Sequence, residues 1–269
     1  MTWESLRETP PWEWPEDMGA RILDALGNPR VEETDRRIAA ELAGDLGVID
    51  DTIARVLLSI AQDAEESLEL RTNAAISLGP VLEYADTESF EDPDAVPITQ
   101  DAFERVQDTL RRLYHDGGAP PELRRHVLES AVRSPLDWHA GAVHAAYLSD
   151  DPEWKLSAVF CMCFVSGFVE QILESLESDD EQVHYHAVCA AGAWQIGAAW
   201  THVRGLFDAD EIDKDLLLAA IDAAASIRPA EAQPLLEELC ESDDEEVAET
   251  AHEALLMATA CLESELDED

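Results

Sequence analysis

The residues with the most chemistry to offer cluster between Trp138 and His202, a stretch holding four of seven tryptophans, five of eight histidines and three of five cysteines. His184 and His186 are two positions apart, which turns them to different sides of a helix, whereas His186 and Cys189 have the spacing that one helical face shares. Joined by a histidine from elsewhere, that pair would have the composition of a zinc site; alone it is incomplete, and no metal or cofactor is assigned. Cys161 and Cys163 point apart on a helix, unlike a C-x-x-C redox pair. His252-Glu253 is the single His-Glu pair, and its histidine falls on a core-facing position. The Ser-Asp-Asp clusters at 149, 178 and 242 lack the alternate-residue ligands and the glycine of a calcium loop. No phosphate-binding glycine loop, nucleophile elbow or zinc-protease pair occurs, so no catalytic residue is assigned.

The elements that must position these residues are written most plainly in Ser178 to Gly192, SDDEQVHYHAVCAAG. The opening carboxylates suit a helix N-cap and first turn, where they accept free backbone N–H groups and oppose the helix dipole. Val183 then serves as an anchor, with Ala187, Val188 and Ala191 four, five and eight positions on, along one helical face. The same frame starts at Leu70, Leu123, Trp154, Leu216 and Val247, at intervals of 53, 31, 29, 33 and 31 residues, and a weaker copy starts at Asp35. Amphipathic segments such as VEQILESL and AEAQPLLEELC lie between the anchors, so each unit is a helical pair that must stack to bury its stripe. The long interval is expected to hold an acidic insertion at 85–100.

Ahead of the repeats, a helix is expected after Pro15, ending at Gly27-Asn28-Pro29, with further helices over 32–46 and 51–62. Trp3, Trp12 and Trp14 lie in Pro-rich surroundings that favour extended chain, and their expected role is to cover the open end of the core. The fold expected is an all-α right-handed solenoid of about six or seven pairs in one domain. It comprises an N-terminal arm and capping helix at 1–30, the repeats at 31–262 and an acidic tail at 263–269.

These features resemble HEAT repeats, in the short form of about thirty residues found in phycobilin lyase-like HEAT proteins. The resemblance is carried by the Asp-rich turn, Leu70-Arg71 and Leu123-Arg124, Ala74-Ala75, Leu78-Gly79 and Pro234 inside a helix. It implies that the basic residue after the anchor pairs with turn carboxylates of a neighbour. Lys155 keeps that charge, whereas His184, Leu217 and Ala248 depart from it.

Sixty acidic against seventeen basic residues give a net charge of -43, which argues against nucleic acid and anionic membrane as partners. Only two basic residues are lysines, and this acid-rich, Arg-over-Lys composition resembles that of proteins from salt-tolerant organisms. The N-terminus has neither the basic start nor the apolar core of a signal peptide, and the uncharged run 156–169 is too short to cross a membrane. A cytoplasmic protein with reduced cysteines is expected.

Six arginines between Arg105 and Arg133 stand beside the acidic insertion, whose Asp86, Glu88, Glu91, Asp92 and Asp94 are expected to neutralise them. Trp154, Phe160 and Phe164 are expected in the core. Positions two and three after the anchor fall off the apolar stripe, which selects Arg125, His126, Leu156, Ser157, Tyr185 and His186. Stacking would place these six on one ridge, of the composition that interface centres use. The function expected is a non-catalytic scaffold binding a protein or peptide on the inner surface of the central repeats, the alternative being a lyase-like or metal-dependent enzyme using the His-rich centre.

Overall fold

The computed structural model describes residues 2–88, 90, 95–209 and 211–267, with side chains described as far as residue 262. The described residues form helices and no strand. They divide into two compact units, 1–139 and 140–269.

In the first unit the chain runs through α1 (Trp3–Arg7), α2 (Met18–Gly27), α3 (Glu33–Leu42), α4 (Asp51–Gln62), α5 (Leu68–Ile76), α6 (Gly79–Thr87), α7 (Gln100–His115) and α8 (Pro121–Ala131). Helix α9 (Asp137–Tyr147) crosses the division, and the second unit continues with α10 (Pro152–Cys161), α11 (Val169–Ser175), α12 (Glu181–Ala193), α13 (Trp200–Leu206), α14 (Lys214–Ile227), α15 (Pro229–Leu239) and α16 (Glu245–Asp267). Six of the anchor helices pack on the helix before them, α2 with α3, α4 with α5, α7 with α8, α11 with α12, α13 with α14 and α15 with α16. Anchor helices then stack on one another, α3 on α5 on α8 in the first unit and α10 on α12 on α14 on α16 in the second.

The anchor frame is the core. Leu70, Leu123, Ala74, Val127, Ala158, Val159, Ala187, Val188, Ala220 and Ile221 are fully buried, and the weak copy at Asp35 contributes Ala39, Ala40 and Ala43 just as completely. Alanine at this place leaves room for close approach. Between α12 and α14 even alanine is too large at one point, since a Cβ on Gly192 would lie 2.8 Å from Ala223 Cα. Burial of each large apolar side chain contributes about 1.5–3 kcal/mol, and the repeat spreads that contribution along the stack.

The Ser-Asp-Asp clusters are helix starts with a fixed division of labour. In all three, the serine hydroxyl accepts the N–H of the second aspartate at 3.2 Å. That aspartate then caps its helix, Asp180 accepting from Gln182 and Val183, Asp244 from Glu246 and Val247, and Asp151 from Glu153. The middle aspartate stays exposed, where it adds to solvation and to the favourable charge at the helix start.

The basic residue after the anchor takes a helix-end carbonyl in three units, and in the first of them also the turn carboxylate that the resemblance implies. Arg36 donates to Leu26 O at 3.1 Å, Arg71 to Ala61 O at 3.1 Å and Arg124 to Tyr114 O at 2.6 Å. Each acceptor lies ten residues back, in the last turn of the preceding helix, so the cation caps that helix's free carbonyls and its dipole. Arg36 also pairs bidentately with Glu66, at 2.6 and 2.8 Å.

The long interval holds more than an acidic segment. Helix α6 lies outside the regular pairing and packs on α7 and α8, so the additional residues begin at Gly79. Of the six arginines, Arg133 pairs with Glu83 of α6 and Arg125 with Glu129, whereas Arg112 bonds Asp108 O and Thr109 Oγ1 and Arg124 a helix-end carbonyl. Asp86 instead accepts Ser134 Oγ at 2.7 Å, and Glu91, Asp92 and Asp94 lie outside the described residues.

At the N-terminus the Pro-rich arm is helical rather than extended, forming α1 and a 3-10 turn at Pro11–Glu13. Trp14 is tucked in, its indole N–H shared between Thr9 O at 2.8 Å and Leu6 O at 3.1 Å. Trp12 is 82% exposed and covers no core; Leu6, Met18 and Ile22 do. The tail expected from Glu263 continues α16 to Asp267, and residues 268 and 269 lie outside the described residues.

Candidate partner-binding site

Helix α12 carries the site. Its frame residues Val183, Ala187, Val188 and Ala191 face the core, leaving His184, Tyr185 and His186 on the half-buried side. These three line a recess of about 640 Å³ closed by the end of α13, the segment after it and the start of α14. Leu206, Ile212 and Leu216 give it an apolar wall, while Glu181, Glu211, Asp213 and Asp215 supply carboxylates. Among the described residues, no lysine or arginine lines it. Asp213 is already committed as the cap of α14, accepting from Asp215 and Leu216, which leaves Glu181, Glu211 and Asp215 as the more available acids.

The rings on α12 are held in place. His186 meets Phe160 of α10 edge-on at 5.3 Å and Tyr185 at 5.1 Å, and its carbonyl accepts the Cys163 thiol at 3.7 Å. Tyr185 has a hydroxyl pushed up to about 12, first by the neighbouring Cys189 sulfur and then by burial, so it stays a neutral phenol at physiological pH. Burial pushes the Cys189 thiol up as well, away from thiolate chemistry.

His184 has a partner that spacing along one helix does not reveal. Its Nε2 lies 2.7 Å from Nε2 of His202 on α13, and His202 Nδ1 in turn lies 3.4 Å from Glu177 Oε1. Burial, then the neighbouring His202, lowers the pKa of His184, while Glu177 opposes the shift. Among the described residues no group of three or more His, Cys, Asp and Glu residues suited to a metal occurs, and no disulfide joins the five cysteines.

No family model and no curated protein matches this sequence. Among solved structures, the chain is similar to one in the complex of CpcE and CpcF of phycocyanin lyase from Nostoc sp. PCC7120, with 16% identity, TM-score 0.46, and coverage of 92% of this chain and 97% of that one. It is also similar to the E. coli protein YibA, with 12% identity, TM-score 0.39, and coverage of 94% of each chain. The described helices pack as stacked pairs, as the repeat frame predicts.

Within the repeat frame, the six residues selected by sequence fall in different units. Arg125 and His126 belong to the first unit, where both bond Glu129 on their own helix, at 3.1 and 2.7 Å. Leu156, Tyr185 and His186 belong to the second unit and are half-buried there. Ser157 is fully buried and is not a surface contact: three positions after the anchor, a long side chain reaches outward, but a serine is too short to do so. Trp154, Phe160 and Phe164 are half-buried rather than core, and the two phenylalanine rings meet at 5.4 Å, tilted by 58°, with Phe160 beside His186. His252 is exposed instead of core-facing, since among the described residues no helix follows α16 to cover it. No described helix is long and apolar enough to cross a membrane.

Proposed function

We propose that this chain is a non-catalytic binding module that takes a protein or peptide partner by inserting one of its basic side chains into the recess beside α12. The observation that carries this is the lining itself: carboxylates around an apolar wall and a neutral phenol, with no lysine or arginine among the described lining residues. A guanidinium fits such a site in all its parts. Its charge meets Glu181, Glu211 and Asp215, its plane can lie on the Tyr185 ring, and its methylene stem covers Leu206, Ile212 and Leu216. The expected face is narrower than the ridge drawn from sequence, since Arg125 and His126 already bond within their own helix.

The test must separate the recess from the chain's general acidity. A fluorescein-labelled peptide with a central arginine, and its citrulline counterpart, are titrated in 0.5 M NaCl, where diffuse attraction is screened. The reading expects binding of the arginine peptide at least tenfold tighter than the citrulline peptide. Tyr185→Ala and Asp215→Asn should each weaken it about tenfold, while Glu237→Gln with Glu241→Gln, outside the recess, should not. Equal binding of both peptides, or equal losses at the recess and on α15, would overturn it.

A further inference from the structure

The contact between His184 and His202 joins the two helices that bound the recess. At 2.7 Å one ring must donate to the other. Glu177 Oε1 lies 3.4 Å from His202 Nδ1, and we assign the His202 proton to that nitrogen, so that His202 Nε2 accepts and His184 Nε2–H donates. The separation also decides against a shared metal ion. Two imidazoles on one tetrahedral zinc at about 2.0–2.1 Å hold their nitrogens roughly 3.3 Å apart. The observed spacing is that of an N–H···N hydrogen bond, with the rings edge to face at 82°.

Among the described residues, the charged and titratable groups around the pair are Glu177 from the turn after α11, Glu181, Tyr185 and His186 on α12, Glu211 and Asp213 after α13, and Asp215 on α14. One proton added to the pair keeps it intact, because an imidazolium donates to the remaining imidazole and Glu177 balances the charge. A second proton leaves two donors, two positive charges and no acceptor at the contact. Helix α13 has seven residues and buries Val203, and the chain runs from it directly into Leu206, Ala209, Glu211 and Ile212 of the recess wall. Moving α13 therefore moves that wall.

We propose that the His184–His202 pair is a proton-operated latch: carrying no proton or one shared proton it ties α13 to α12, and a second proton drives the rings apart and opens the wall of the recess. The direction of the His184 shift agrees, since burial and His202 both resist the second charge. Release of a cationic occupant on acidification follows from this together with the proposed function, on which that consequence rests.

The experiment uses the full chain and reads the latch without a ligand. Amide hydrogen exchange of residues 200–206, corrected for intrinsic rates, is followed from pH 7.5 to 5 beside histidine side-chain NMR. The latch predicts that protection of α13 falls at least tenfold while α15 is unchanged. It also predicts that His202→Gln, whose amide oxygen can accept from His184 without titrating, holds its protection across the range. His184→Gln serves if the first variant fails to fold. Equal protection of α13 at both pH values, or the same loss in wild type and variant, overturns the latch. In a second arm, the arginine peptide should bind wild type at least tenfold more weakly at pH 5 and His202→Gln nearly unchanged. Exchange that follows pH without any peptide binding at pH 7.5 supports the latch and removes the basic-side-chain reading. Peptide binding that ignores pH in wild type, with α13 protected throughout, does the reverse.

Discussion

Replacing His139 with asparagine should remove an acid sensitivity built into the first unit. His139 is 1% exposed; its Nδ1 accepts Leu136 N–H at 2.8 Å and its Nε2 has no partner. Burial pulls its pKa down to about 4, against roughly 6.5 in the unfolded chain. The folded state therefore keeps a neutral ring while the unfolded state takes up a proton, and stability is lost as pH falls from 6.5 toward 4. At about 1.36 kcal/mol per pH unit the full gap is worth roughly 3 kcal/mol, of which about 2.5 kcal/mol has been lost by pH 4.5. Asparagine retains an acceptor where Nδ1 stood and does not titrate. Urea unfolding at pH 7.5, 6, 5 and 4.5 in high salt gives the difference between wild type and His139→Asn, in which the shared titration of the many carboxylates cancels. The variant should be less stable at pH 7.5 because of the space it leaves, and that deficit should shrink by about 2.5 kcal/mol at pH 4.5. A constant difference across the range, or a His139 NMR titration near 6.5, would refute the burial account.

Gly192→Ala should destabilise the second unit by roughly 1–3 kcal/mol in urea, because its Cβ would sit 2.8 Å from Ala223 Cα and force α12 from α14; an unchanged midpoint would show that the contact yields freely. Arg71→Met should cost about 1.5–3 kcal/mol, since it leaves Ala61 O at the end of α4 without its buried cation; a neutral effect would deny the capping role. Stability should rise with NaCl as screening relieves the self-repulsion of a -43 chain; a flat dependence would favour an acidic surface dedicated to a partner.

What the sequence revealed is what a repeat enforces. Alanine and branched residues four and five positions after an anchor have nowhere to go but the interface between helices, and a Ser-Asp-Asp turn has unpaired N–H groups to satisfy, so both were legible from periodicity and capping chemistry. Helix α6 escaped because it belongs to no repeat and its apolar Val81 and Leu82 share no frame with the anchors. Arg71 and Arg124 were recognised by position, but their carbonyl acceptors depend on how two helices meet, which spacing within one helix does not encode. The same holds for His184 and His202, eighteen residues apart on different helices. Tyr185 and His186 were selected as the residues left once the frame was subtracted, and they do line the recess. Ser157, selected by the same rule, is buried because the rule takes no account of side-chain length.

The central claim is that the recess beside α12 is where a basic side chain is received. Amide chemical-shift mapping of the full chain with the arginine peptide, in 0.5 M NaCl, tests it most directly. The account predicts saturable shifts concentrated at residues 181–186 and 206–216, absent with the citrulline peptide. Shifts scattered over the acidic helix starts of both units, or concentrated around Trp12, would contradict it.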